Sequence, residues 1–263
     1  MSTKQRKSGL PLSLSYILFI LLFLACTAAM VALCTLLGGT LPLVSQLSPE
    51  ASAPGAQGAP VIVIDAGHGG EDGGTSGHLG GREILEKHLN LDIAQRLCTL
   101  LTDAGYTVIM TRTEDRLLYD RDVDYNGRKK ALDMAARLSV TQQAADSSGA
   151  LFVSIHMNSF PQSEYRGLQV YYSANHSDSR ALAQRIQDTA REQLSPDNRR
   201  QIKQGGDIYL LKNLSCPAVL VECGFLSNPE ECAALATEEY QNRVAYAVFC
   251  ALRKYTAEHS QAN

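Results

Sequence analysis

Four residues able to bind a metal or move a proton sit at the edges of buried-looking segments. His68 follows the apolar run Val61-Ile62-Val63-Ile64 and the turn Asp65-Ala66-Gly67. His156 ends Ala150-Leu151-Phe152-Val153-Ser154-Ile155, and Glu222 ends Pro217-Ala218-Val219-Leu220-Val221. Glu86 opens a helical stretch just after a glycine-rich segment. Imidazole nitrogens and carboxylate oxygens are ligands that suit zinc, and a catalytic zinc commonly has three protein ligands and one open position. Such a metal brings the pKa of water down to about 7 and polarises a carbonyl. A nearby free carboxylate can then take the proton and hand it to a leaving nitrogen. Two histidines and two acids, one binding and one free, meet that requirement.

The residues also have plainer readings. A histidine at a strand end is often packed or hydrogen-bonded, and an early helical glutamate such as Glu86 favours the helix dipole. Glu222 is harder to explain this way, because a buried carboxylate is costly without a partner. Glu83 competes with Glu86. His78, His88, His176 and His259 compete with the two chosen histidines but read as surface or loop residues. Ser154 and Cys223 are conceivable nucleophiles but have no local nucleophile signature. The glycines of Gly67-His68-Gly69-Gly70 invite comparison with GxGxxG, but Asp72 occupies the last required position and the match fails.

The elements that must position these residues follow from periodicity. Val61–Ile64 is a buried central strand, and chemistry is expected beyond its carboxyl end. Gly69 to Gly77 reads as a mobile rim loop. Glu86 to Ala104 is a helix with Leu89, Ile93, Leu97, Leu100 and Leu101 inward, stopped by Gly105. Tyr106 to Thr111 is the next strand, so the order β-α-β favours a parallel pair. A helix from Arg128 to about Ala145 turns Ala131, Met134, Ala135 and Leu138 inward. Strands follow at 150–155, 168–172 and 217–221. A helix spans Asp178 to about Leu194, and 195–207 is a surface loop. Asn228-Pro229-Glu230-Glu231 is a helix start, and the last helix, Glu238 to about Tyr255, turns Val244, Val248 and Leu252 inward. The expected fold is a single α/β domain at 60–258, with a mixed, mostly parallel sheet, helices on both faces, and a tail at 259–263.

The 263 residues carry a formal charge of −3, which supplies no basic field for nucleic acid. Seven cysteines include no CxxC pair and form no disulfide framework, leaving room for a single bridge. Lys4, Arg6 and Lys7 precede an almost wholly apolar stretch from Leu12 to Leu37. That exceeds the roughly 20 residues a spanning helix needs and the about 7–15 of a signal-peptide core. The small-residue site Ala51-Ser52-Ala53 lies far past this core, so the segment is expected to stay as an anchor. Residues 1–11 would then lie in the cytoplasm, 12–37 would span the membrane, and 38–59 would be a linker to an extracytoplasmic domain.

Five stretches carry a family resemblance: VIVIDAGHGGEDGG, EKHLNLDIAQRL, VIMTRTED, LFVSIHMNS and PAVLVECGFLSNPEE. In this order they resemble the zinc-dependent N-acetylmuramoyl-L-alanine amidases over nearly all of residues 60–255. The resemblance implies one zinc per chain held by His68, Glu86 and His156, with Glu222 as the catalytic acid/base, and it favours Glu86 over Glu83. The substrate implied is peptidoglycan, cut between N-acetylmuramic acid and L-alanine; the alternatives are another cell-wall zinc hydrolase, a peptidase or a deacetylase, and a catalytically silent wall-binding module. Ala66, Met157 and Cys223 depart from the usual Pro, Ala and Leu or Val without removing a reactive group. The N-terminal anchor, the bare catalytic domain and YNGRKKALDMAARL resemble the spore-forming branch, which makes muramic-δ-lactam in the cortex. An unidentified regulatory protein partner is also expected. The residues that grip glycan and stem peptide are not named by these motifs, although Asn158 and Arg112 adjoin the expected site.

Overall fold

The computed structural model describes residues 60–119 and 127–259, together with Ile17 and Phe19. The expected cytoplasmic segment, spanning helix and linker therefore lie outside the described residues, those two apart. Among the described residues no helix is long and apolar enough to cross a membrane.

Six strands form one sheet in the order β4 (Val108–Met110), β1 (Val61–Ala66), β5 (Ala150–Asn158), β8 (Ala218–Phe225), β6 (Gln169–Tyr172), β7 (Lys203–Gln204). β1 runs parallel to β4 and β5, and β5 parallel to β8. β6 is antiparallel to β8 and parallel to β7, so the sheet is mixed and mostly parallel. β1 reads as an unbroken apolar run because it is covered on both faces. Ile62 and Ile64 pack with α1 (Glu86–Asp103), α3 (Asp178–Leu194) and α6 (Glu238–His259). Val63 packs on the opposite face, with Ala144 of α2 (Lys129–Ser148) and Leu210 and Leu211 of α4 (Tyr209–Asn213).

The apolar stripes of α1 and α6 are where the periodicity predicts: Leu89, Ile93, Leu97, Leu101, Val244, Val248 and Leu252 are buried. The helix start at Asn228 is also present. Asn228 Oδ1 accepts from the Glu230 and Glu231 backbone N–H groups at 3.0 Å, capping α5 (Pro229–Leu235).

Three expectations need correction. The glycine-rich loop holds no regular strand over 69–75, but it ends earlier than expected, at β2 (Ser76–Leu79), which forms with β3 (Arg82–Leu85) an antiparallel hairpin. Its turn, Gly80-Gly81, has φ of 57° and 79°, the left-handed pair that a tight primed turn demands. The loop at 195–207 contributes the short strand β7. In α2, Met134 and Leu138 pack inward as expected, but Ala131 and Ala135 are exposed, and the fully buried residues are Asp133, Arg137, Thr141 and Ala144. Apolar spacing finds only part of this face because most of the residues it buries fully are polar.

From β1 the chain crosses to β4 on one side and then returns to β5 on the other. The carboxyl ends of β1 and β5 therefore flank a topological switch point, the place where an open α/β sheet leaves a crevice.

Candidate active site

Alternation along the strands aims the site. In β8, Val219, Val221 and Cys223 face the α1/α3/α6 core, while Ala218 and Leu220 face α2 and α4. Glu222 therefore points to the α2/α4 side, as do Asp65, Ser154 and His156 by the same period of two. Both β5 and β8 run longer than the apolar runs predict. His156 and Glu222 lie within their strands as direct register partners, just before a bulge between His156 and Asn158.

His68 reaches the same place by an unusual backbone. Its φ of 61° makes it the one non-glycine residue in the left-handed region among the described residues. Gly67, just before it, has no side chain for a physical reason. A Cβ there would come within 2.2 Å of the His156 ring.

Glu86, at the first turn of α1, stands between the histidines. Its Oε1 is 2.9 Å from His156 Nδ1 and 3.3 Å from His68 Nε2. The same oxygen accepts from the Met157 backbone N–H at 3.0 Å and from Asn90 Nδ2 at 3.2 Å, while Oε2 accepts from the Thr75 N–H at 2.7 Å. Burial alone would raise the Glu86 pKa, but the His156 and His68 contacts outweigh it and hold the carboxyl well below the usual range. His68 Nδ1 lies 3.0 Å from Asp72 Oδ1, a close approach without hydrogen-bond alignment. Burial works against the charged His68 ring, but Glu86 and Asp72 prevail and raise its pKa.

One potential ligand atom from each of His68, Glu86 and His156 lies within 4.8 Å of the others, and this is the one such group among the described residues. Two imidazoles and a carboxylate at this spacing fit a zinc-like ion. Glu222 stands apart from that group and is differently placed. Its Oε2 is buried with no hydrogen-bond partner among the described residues. Burial pushes its pKa up to about 7, with the neighbouring histidines pulling down and Glu86 pushing up. A carboxyl poised there can exchange a proton near neutral pH.

The crevice is a cavity of about 280 Å³, with His68, Asp72 and His156 on one side and Met134, Leu210 and Leu211 on the other. A larger cleft of about 570 Å³ lies between Tyr165, Arg200 and Glu230, away from the histidines.

The competing residues are placed elsewhere. His78 and Glu83 are exposed and face each other across the hairpin, and His88 is exposed beside Asp115 at 3.5 Å. His176 and His259 are half-buried and line a cleft at the amino ends of the strands, with Gly149 and Pro217. Ser154 is buried and donates to Asp65 Oδ2. Burial raises the Cys223 thiol far out of the reactive range. All five described cysteines are free. Arg112 is buried and donates only to backbone carbonyls, those of Ala66, Gly67, Lys87 and Glu114. Asn158 Oδ1 accepts from the Ser159 N–H.

Sequence reasoning missed the buried network behind His68. Asp65 is 1% exposed and pairs with Arg137 at 2.6 Å, and Arg137 also pairs with Asp133 at 2.7 Å. A carboxylate at the end of a buried strand was the available signal, because such a group demands a partner.

The amidase-3 family model, N-acetylmuramoyl-L-alanine amidase, matches residues 62–254. A germination-specific N-acetylmuramoyl-L-alanine amidase of Bacillus subtilis is 35% identical over 198 residues, covering 75% of this chain and 80% of that protein. The CwlD amidase of Clostridioides difficile, solved in complex with the GerS lipoprotein, superposes with a TM-score of 0.68 at 37% identity, over 75% of this chain and 98% of the other. An N-acetylmuramoyl-L-alanine amidase of Clostridium difficile 630 gives 0.62 at 29% identity, over 75% and 97%. With a matching family model, a mixed sheet of the same fold and a His-Glu-His group at its switch point, the chain belongs to the N-acetylmuramoyl-L-alanine amidases, and it is an enzyme of that family.

Proposed function

We propose that the chain hydrolyses peptidoglycan with one zinc held by His68, Glu86 and His156 and with Glu222 as general base and acid. The observation that carries this reading is the contrast between the clustered triad and the buried, unpartnered Oε2 of Glu222 beside it. When bound, zinc supplies a Lewis acid for the amide carbonyl and acidifies water. The remaining work belongs to the chain. Glu222 accepts the water proton on its free oxygen and returns it to the departing alanine nitrogen. The backbone N–H groups of Thr75 and Met157 fix the Glu86 carboxylate from behind, a supporting shell that keeps a ligand aimed. The apolar walls of the crevice limit water and strengthen each electrostatic contact.

The wider setting is part of the same proposal. Residues 60–258 form the catalytic domain, 12–37 a membrane anchor, 38–59 its linker, 1–11 a cytoplasmic end and 259–263 a tail. The catalytic domain acts outside the membrane on wall peptidoglycan. The similarity to a germination-specific amidase supports a role in the spore cortex, removing stem peptide so that muramic-δ-lactam can form. The relative solved with a lipoprotein supports a regulatory protein partner for this chain. The test is mass spectrometry of peptidoglycan after incubation with the protein, with and without a chelator. The expected products are free stem peptides beginning with L-alanine and glycan without stems, both absent with chelator and restored by added zinc. Stems that stay on muramic acid would sink the amidase reading, and unchanged cleavage in chelator would sink the zinc.

A further inference from the structure

We propose that Arg137 is a positioning residue for His68, holding the backbone on both sides of Gly67 so that the imidazole meets Glu86 and His156. The inference rests on the reading of His68 as a metal ligand. His68 occupies a backbone conformation that L-residues avoid, and such strain persists only where the surroundings over-determine it. Arg137 supplies that restraint. Its Nη2 donates to the His68 carbonyl at 2.8 Å, and its Nη1 donates to the Ala66 carbonyl at 2.8 Å. One rigid guanidinium thus grips the carbonyls before and after Gly67.

The guanidinium is itself fixed from two sides. Nη1 meets Asp65 Oδ1 at 2.6 Å, on the strand that leads into His68, and Nε meets Asp133 Oδ2 at 2.7 Å, one turn away on α2. Arg137 is wholly buried, and Asp65 and Asp133 are each 1% exposed. Ser154 and Thr111 complete Asp65 by donating to its two oxygens. The network therefore links β1, the residue just after β4, β5 and α2 to the peptide units around one candidate ligand. Arg112 adds bonds to Ala66 and Gly67 but reaches no atom of His68. The planar fork matters here, because a lysine offers a single compact charge and cannot span two carbonyls and two carboxylates at once.

A merely structural Arg137 would change stability and leave metal binding alone. The two are separated by measuring zinc affinity of the full chain, by competition with a chromophoric chelator, alongside urea unfolding. Arg137→Lys is expected to weaken zinc binding about 10–100-fold, the usual effect of losing an outer partner, while still reaching one zinc per chain at saturation. Gln187→Leu is the control. Gln187 is fully buried and bonds to Val170 and Leu168 on the other face of the sheet. It should lower the unfolding midpoint and leave zinc affinity unchanged. Parent affinity in Arg137→Lys overturns the proposal. If that variant does not fold, Asp133→Asn is read instead. It keeps the guanidinium but releases one anchor, and should weaken zinc binding several-fold; parent affinity there overturns the proposal equally. His68→Ala separates the two claims. If it still binds zinc at full stoichiometry, the ligand reading falls and takes the positioning role with it. If zinc is lost in His68→Ala but held at parent affinity in Arg137→Lys, the positioning role alone falls.

Discussion

Asp65, fully buried, and Glu222, half-buried with its Oε2 sealed from solvent, are carboxylates on the same face of one sheet, separated by strand β5, and they are treated in opposite ways. Asp65 receives Arg137, Ser154 and Thr111. Burial alone would raise its pKa, but Arg137 and the Ser154 bond prevail, and it falls to about 2. Glu222 receives no comparable set. Burial dominates, and its pKa rises to about 7. The first environment keeps a charge permanently and uses it to hold other groups. The second leaves a carboxyl that can gain or lose a proton at working pH. Both have a carboxylate oxygen cut off from water, so it is the supply of partners that separates a structural acid from one able to do chemistry.

The largest expected effect is at Glu222. Glu222→Gln keeps the shape and removes the proton acceptor. Turnover of peptidoglycan should fall about 100- to 10,000-fold, the usual worth of a positioned acid/base, with zinc stoichiometry retained. Because no partner is orphaned, its unfolding midpoint in urea should not drop. Parent-like turnover would remove Glu222 from the mechanism.

Asp65→Ala should show the reverse pattern in stability. It strands the Arg137 charge in the interior, and breaking a buried pair from one side costs about 3–5 kcal/mol. Urea unfolding at neutral pH measures this. A loss near zero would mean that Asp65 is no better partnered than Glu222, and the contrast would fail.

The smallest effect is the pH dependence of the same group. Asp65 has a folded pKa below its ordinary value of 3.8, so its contribution to stability is complete above that pH and is lost as pH falls through about 2. The lost contribution is about 2 kcal/mol. Unfolding followed between pH 5 and 2 should show this extra acid sensitivity in the parent and its absence in Asp65→Ala.

Much of the fold was legible because apolar residues advertise burial. The runs ending near His68, His156 and Glu222 marked three central strands, and the stripes of α1 and α6 marked the helices above one face. The face of α2 was only partly legible for a related reason. Asp133, Arg137 and Thr141 are buried by pairing with each other and with Asp65, and no hydropathy pattern encodes a partner 72 residues away. The hairpin at 76–85 was obscured by glycines, which signal flexibility until their φ values are known.

Sequence by itself determined which side chains are available: two histidines and two acids beside apolar strand runs, in a motif order that resembles one amidase family. Residue type and strand period are local properties, and they survive without a structure. Tertiary structure alone decided that these four meet at the switch point, that Glu86, brought there by α1, stands between the imidazoles, and that His68 is held in a strained backbone by buried arginine. It also decided which carboxylate is held charged by partners and which is left free. Those outcomes depend on distances between segments far apart in the chain, and on how much water each group loses when they meet.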